Sequence, residues 1–130
     1  MRSQSGKYST TKLNKHLRFN YDNKRFRSIA NSAGGEVGAE TVFRYHQKGE
    51  LVWAEYSGGG IVYGMLIAKC GPDSVLDMRY QHLNRGGEIM TGECVSTPES
   101  LPDGRLRLRE KWRWTSGDLS AGESVIEEII

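Results

Sequence analysis

RLRLREKWRW, residues 105–114, alternates cations with mostly apolar side chains. A cation occupies every odd position from 105 to 113, whereas Leu106, Leu108, Trp112 and Trp114 occupy even positions. A period of two is typical of a β-strand that has one solvated face and one buried face. Glu110 is the one acid among the even positions, and an acid on a buried face needs a specific partner or a function.

The same alternation recurs along the chain between turns rich in Gly, Asn and Asp, which are residues that tight hairpins prefer. The predicted strands cover residues 24–32, 41–47, 50–57, 61–70, 74–83, 88–97, 105–115 and 123–130. Short connections make consecutive strands antiparallel neighbours. We therefore predict an all-β domain, an eight-stranded antiparallel up-and-down meander that closes into a barrel, because closure removes the two exposed edges.

Residues 1–22 differ from the rest of the chain, because they are rich in Ser, Thr and Lys and show no periodicity. We interpret them as a basic, flexible N-terminal tail, with an arm that contacts a partner as the alternative. Residues 23–130 then form a single barrel domain. The 18 Lys and Arg residues exceed the 16 Asp and Glu residues by only 2, so the overall charge does not indicate a nucleic-acid partner.

The two cysteines, Cys70 and Cys94, fall on the fourth and sixth predicted strands. The intervening strand would separate them by about 9–10 Å, beyond the reach of a disulfide, so we expect free thiols and a reducing compartment. We find neither an apolar stretch long enough for a membrane span nor a signal peptide, and a cytoplasmic protein is expected. No Cys or His pair has metal-ligand spacing, so neither a metal nor another cofactor is predicted.

Register arithmetic predicts which side chains face inward. Two-residue turns at Lys48–Gly49 and Gly58–Gly59 would put one continuous apolar face on strands 2 to 4. That face comprises Phe43, Tyr45, Val52, Ala54, Tyr56, Ile61, Tyr63, Met65 and Ile67, and it is joined by Leu76, Met78, Tyr80 and His82 of strand 5 and by the even residues 106–114. The inward faces of strands 6 and 8 stay open, with either Cys94 or Val95 pointing inward. Trp53 would lie outside, opposite Gly64.

This interior is richer in aromatic and polar side chains than a purely structural core. Such a mixture suits a pocket that holds one partly apolar ligand and orients it by a few polar groups. The predicted ligand-binding residues are Tyr45, Tyr56, Tyr63, Tyr80, His82, Glu110, Trp112 and Trp114.

Glu110 and His82 are also the candidate catalytic residues. Glu110 could bind a ligand amine or hydroxyl, or act as an acid or base whose pKa is raised by desolvation. The alternative is a structural acid bonded to Tyr80, His82 or an inward arginine. His82 could move a proton or contact a ligand, whereas its place near a turn favours a solvated histidine at the barrel rim.

The cations of residues 105–113 could bind phosphate groups or nucleic acid. Because Glu93 and Glu127 or Glu128 lie on neighbouring predicted strands, we favour a solvated outer face with cross-strand ion pairs, and a nucleic-acid partner is not expected. The glycines of residues 58–60 are interpreted as a hairpin turn, since a phosphate-binding loop would open a helix.

Three longer stretches resemble a known family. They are residues 50–60 (ELVWAEYSGGG), 76–82 (LDMRYQH) and 110–118 (EKWRWTSGD), and the resemblance spans about residues 42–128. The family comprises small bacterial proteins that are often named N-acetylglutamate synthases and that are similar to lipocalin- or avidin-like barrels. The resemblance implies such a barrel and supplies no functional residues. N-acetyltransferases that use acyl-CoA bind it with an Arg/Gln-x-x-Gly-x-Gly/Ala loop that opens a helix in an α/β fold, and this chain has neither feature.

Three functions follow from these observations. The first is a non-catalytic barrel that binds a small, partly apolar ligand. The second is an enzyme that uses Glu110 or His82 as an acid or base, which includes the acetyl transfer that the family name implies. The third is a structural or oligomerisation module, in which Trp53 lies at an interface of a homo-oligomer.

Overall fold

The computed structural model describes residues 18–130 of the 130-residue chain. The eight strands are β1 (Lys24–Asn31), β2 (Val42–Lys48), β3 (Leu51–Gly58), β4 (Ile61–Cys70), β5 (Leu76–Asn84), β6 (Ile89–Ser100), β7 (Leu106–Trp114) and β8 (Ala121–Ile129). Each strand pairs antiparallel with the next, and β1 also pairs with β8, so the sheet is a closed barrel. This confirms the predicted fold class. Within residues 18–130 the structure contains no helix with the length and hydropathy of a bilayer span.

One end of the barrel is closed by the residues that precede β1. Tyr21 is fully buried, and its hydroxyl donates a hydrogen bond of 2.6 Å to the carbonyl oxygen of Ser74. The Tyr21 amide donates to the side chain of Gln47 at the end of β2. The barrel domain therefore begins before residue 23, where the sequence placed its boundary. The rest of the predicted tail, residues 1–17, lies outside the described residues.

The register between β2 and β3 differs from the prediction by two residues. Lys48 pairs with Leu51, so the turn consists of Gly49 and Glu50, and Gly49 adopts a positive φ of 61° that suits glycine. A shift of two residues leaves each side chain on its predicted face. Tyr45 is accordingly buried, as predicted. It pairs with Ala54 of β3, whereas the predicted turn would have paired it with Val52.

The prediction that Tyr63, Met65 and Ile67 face inward is wrong. A β-bulge at the start of β4 adds one residue between Ile61, which is buried, and Gly64, which pairs with Tyr56. One extra residue exchanges the faces of everything that follows. The side chains of Tyr63, Met65 and Ile67 are therefore exposed, and Leu66 and Ala68 are buried in their place.

The predicted faces of β5 and β7 are confirmed, and the open faces of β6 and β8 are now assigned. Cys94 and Ser96 face inward on β6, as Ser124 and Ile126 do on β8, whereas Val95 is exposed. β6 continues beyond its predicted end, because Pro98 remains in the sheet opposite Leu108. Cys70 and Cys94 are both free and buried.

Candidate functional site

A cavity lies inside the barrel at the end opposite Tyr21. It measures about 60 Å³ as the space open to the centres of water molecules, which is room for a few waters or a small chemical group. Its exposed wall is mostly apolar, with five aromatic rings among the lining residues and a smaller polar surface, as expected for a ligand site. The aromatic lining residues are Phe43, Tyr56, Tyr80, Trp112 and Trp114, and the polar ones include Glu36, His82 and Glu110.

Three of these rings lie flat across glycines of the adjacent strand. Tyr56 pairs with Gly64, Tyr80 with Gly92 and Trp112 with Gly122. A Cβ atom at any of these glycines would overlap the ring of its cross-strand partner. The glycines therefore let the large side chains fold against the wall, which keeps space open in the middle of the barrel. The sequence placed Trp53 over Gly64, but the bulge brings Tyr56 there instead, and Trp53 stands opposite Ile67.

Glu110 lies in the middle of the barrel, one inward position below Trp112. Its cross-strand partners are Ser96 and Ser124, and each hydroxyl donates to one carboxylate oxygen, at 2.8 Å and 3.0 Å. Burial raises the pKa of Glu110, although these two hydrogen bonds act in the opposite direction. The structural partners that the sequence suggested, Tyr80, His82 or an arginine, are wrong.

His82 is 3% exposed, so the solvated rim histidine favoured by the sequence is wrong. Its Nδ1 lies 2.9 Å from the hydroxyl of Tyr56 and its Nε2 lies 2.8 Å from Oε1 of Glu36. A neutral ring satisfies both contacts when Nε2–H donates to Glu36 and Nδ1 accepts from Tyr56. Asn84 donates to the same carboxylate at 3.3 Å. The result is a chain of hydrogen bonds from the barrel wall to Glu36.

Glu36 belongs to the β1–β2 loop, residues 32–41, which covers this end of the cavity. The indole N–H of Trp114 donates to the carbonyl of Gly34 at 2.9 Å, and that of Trp112 donates to Asn31 at 3.0 Å. The side chain of Asn31 in turn donates to the carbonyl of Val37 at 3.0 Å. The loop is therefore attached to the tryptophans that line the cavity, and its residues Gly35, Glu36 and Val37 line the cavity as well.

The structure gathers most, though not all, of the predicted site residues. The six that line the cavity are Tyr56, Tyr80, His82, Glu110, Trp112 and Trp114. Tyr63 is half exposed on the outer surface and cannot reach the cavity. Tyr45 is buried but packs near the closed end, where its ring lies 4.9 Å from Phe26 and its hydroxyl has no hydrogen-bond partner among the described residues. Ligand binding by the six remains a prediction.

Sequence reasoning missed the residues that orient Glu110 and His82. Glu36 lies in the longest connection of the barrel, and loops of such length often carry function, so loop length could have identified it. Ser96 and Ser124 lie on the two strands whose faces the sequence left open. Their role becomes visible only once the register places both beside Glu110.

Three outward cations of β7 form ion pairs with acids of the neighbouring strands, as predicted. Arg107 forms an ion pair with Glu127 at 2.6 Å, and Arg113 forms one with Glu93 across the β6–β7 pair. Arg109 bonds to Glu99 at 2.9 Å. The more exposed pairs contribute little to stability, but all three occupy cations that would otherwise be available to phosphate groups.

In the part of the chain described here, no group of three or more His, Cys, Asp or Glu side chains is arranged to hold a metal ion. A family model described as "Avidin-like protein" matches residues 19–129, which include the whole barrel. Searches of the curated proteins and of the solved structures gave no significant match.

Proposed function

Because this chain belongs to the avidin-like family, we propose that its barrel binds one small, partly apolar ligand in the cavity beneath the β1–β2 loop. The observation that carries this proposal is the cavity itself. Aromatic rings are folded back on glycines and leave space between them, rather than filling the centre of the barrel. Closed eight-stranded barrels either fill their interior with side chains or hold one small ligand.

The polar groups of the cavity would orient that ligand. The Glu110 carboxylate lies deep in the cavity, and His82 and Glu36 lie near its covered end. Burial of apolar ligand surface would supply most of the affinity, at roughly 25 cal/mol per Å². The cavity is much smaller than the several hundred Å³ typical of drug-sized ligands. A larger ligand would therefore require the β1–β2 loop to move.

Native mass spectrometry of freshly purified protein tests this function. We expect the native mass to exceed that of the chain. The excess should disappear when the protein is unfolded and refolded. Trp112→Ala and Trp114→Ala would lose the extra mass, whereas Trp53→Ala, on the outer surface, would retain it. The proposal would be contradicted by a protein that has no extra mass and whose Trp112 and Trp114 indole NMR signals also fail to shift with any small molecule.

An acid–base enzyme is the second candidate. The hydrogen-bonded chain of Tyr56, His82 and Glu36 favours it, because it joins a proton donor, an imidazole and a carboxylate at the edge of a cavity. An activity that is lost in His82→Gln but retained in Glu40→Gln, on the same loop, would support it. The acetyl transfer implied by the name N-acetylglutamate synthase has no further support in the residues of this site.

A homo-oligomer is the third proposal, and it involves a different surface. The bulge in β4 exposes Tyr63, Met65 and Ile67 in one row on the outside of the barrel. Trp53 lies beside this row, paired with Ile67. The same native mass spectrum gives the number of subunits, and Ile67→Lys would reduce that number if this row joins two copies.

A further inference from the structure

We propose that the ligand of this barrel carries a cationic nitrogen, such as an ammonium or amidinium group, and that Glu110 and the surrounding aromatic rings bind it. This inference rests on the ligand-binding function proposed above and specifies the chemical class of the ligand. Three observations support it, namely the charges that line the cavity, the free acceptor positions of Glu110 and the arrangement of the rings.

The charged side chains that line the cavity are acidic. Glu36 and Glu110 both face it, and the described lining residues include no Lys or Arg. The arginines of β7 point away from the cavity, where they pair with outer acids such as Glu127 and Glu93. A cavity with one sign of charge and apolar walls attracts a ligand of the opposite sign.

Glu110 has more acceptor positions than its partners fill. Each carboxylate oxygen accepts one hydrogen bond from a serine hydroxyl, although each can accept two. Among residues 18–130, no cation forms an ion pair with it. A buried carboxylate without a cation is costly. A ligand that donates N–H groups to both oxygens would fill the two remaining positions with charge-assisted hydrogen bonds.

Trp112, Trp114 and Tyr80 line the cavity with Glu110 and pack against one another. The centroids of Trp112 and Trp114 lie 5.8 Å apart with their planes inclined by 57°, and Tyr80 lies edge-on to Trp114 at 5.7 Å. Aromatic faces attract cations, and a cage of them is the usual site for an ammonium group. A carboxylate that shares a cavity with such rings would disfavour anions and favour cations over neutral molecules of the same shape.

Three isosteric probes separate charge from shape: acetamidinium, acetamide and acetate. Each has four non-hydrogen atoms, which suits the small cavity. Binding would be followed through the indole ¹⁵N–¹H signals, because Trp112 and Trp114 line the cavity and Trp53 provides an outer reference. We expect acetamidinium to shift the first two signals with an affinity at least about tenfold higher than that of acetamide. We expect no shift with acetate.

Two variants test whether Glu110 causes the preference for acetamidinium. Glu110→Gln keeps the size of the side chain, and we expect it to reduce the preference for acetamidinium over acetamide to less than about threefold. Glu93→Gln removes the same charge from the outer surface and should leave the preference unchanged. If Glu110→Gln does not fold, the comparison of the three probes on the wild-type protein still decides the question.

The results also separate this inference from the proposed function. If acetamide or acetate shifts the Trp112 and Trp114 signals as strongly as acetamidinium, the barrel binds ligands but the cationic specificity is wrong. If none of the three probes shifts them, the specificity is likewise wrong, and the mass of the purified protein then decides whether a ligand binds there at all.

Discussion

His82 Nε2 lies 2.8 Å from Oε1 of Glu36, so a side chain of the β1–β2 loop is hydrogen-bonded to a buried residue of the barrel wall. Two further bonds join the same loop region to the tryptophans of β7. The loop that covers the cavity is thus hydrogen-bonded to side chains that line it. A ligand that displaces either tryptophan would disturb the loop, and a change in the loop would alter the cavity.

Removal of the Glu36 carboxylate should loosen the β1–β2 loop over the cavity. Glu36→Ala leaves the buried His82 without the acceptor of its Nε2–H and leaves Asn84 with Glu88 as its remaining acceptor, which we expect to cost about 1–3 kcal/mol of unfolding free energy. The indole N–H groups of Trp112 and Trp114 should then exchange with solvent faster. Glu40→Ala, an exposed acid on the same loop, is the matched control. Unchanged exchange in Glu36→Ala would show that the loop is held by other contacts.

Glu110 should make the stability of the protein depend on pH. Burial raises its pKa above the ordinary value of 4.5, so the folded state binds this proton more tightly than the unfolded state does. The stability that protonation provides is complete below the unfolded pKa and is lost as pH rises through the folded pKa. A folded pKa that lies one pH unit above the unfolded pKa corresponds to about 1.4 kcal/mol of this stability.

Urea unfolding of wild type and Glu110→Gln between pH 4 and pH 8 measures this effect. The variant should gain stability relative to wild type as pH rises. The neighbouring Tyr45, Tyr80 and Cys94 also have pKa values raised by burial, so they stay protonated in this range and do not mask the effect. A difference that stays constant with pH would mean that Glu110 titrates normally.

A methyl group at Gly92 should close part of the cavity. The new Cβ would overlap the ring of Tyr80, which then has to move toward the centre of the barrel. We expect Gly92→Ala to lose about 1–3 kcal/mol of stability and to weaken ligand binding. Gly38→Ala is the control, because no atom lies within 4 Å of its added Cβ. Equal behaviour of the two variants would show that the glycine does not position the ring.

The β4 bulge predicts opposite outcomes for neighbouring positions. Ile67 is 58% exposed and Leu66 is 5% exposed. We expect Ile67→Lys to change the stability of the barrel by less than about 0.5 kcal/mol. Leu66→Lys should prevent stable folding, because it buries an unpaired charge. Thermal unfolding followed by circular dichroism compares the two variants. If Ile67→Lys were the more destabilising one, the register without a bulge would be correct.

The alternation of residues 105–114 was sufficient to predict that β7 is a strand and which of its faces points inward, because a period of two is a local property of the chain. The same is true of β5. The fate of Tyr63 was not predictable in this way. It depends on one extra residue near Val62, and a continuous apolar run such as Ile61–Ile67 has no alternation that reveals the change of face.

The candidate site was predictable to the extent that it depends on strand parity. Trp112, Trp114, Tyr80 and Glu110 line the cavity as parity indicates. Parity placed His82 on the inward face, but its cover was not predictable, because it depends on the β1–β2 loop, whose Glu36 bonds to it from 46 positions away. A long-range contact made by a loop leaves no periodic signal near either residue.

Within residues 18–130, Tyr21 fills the far end of the barrel, and the β1–β2 loop covers the cavity at the other end. If the barrel binds a ligand as proposed, that ligand would enter and leave past the loop that Glu36 holds to His82. The residence time of such a ligand would then depend on how often the loop opens, and because Gly35, Glu36 and Val37 of the loop also line the cavity, a change there would alter the affinity together with both rates.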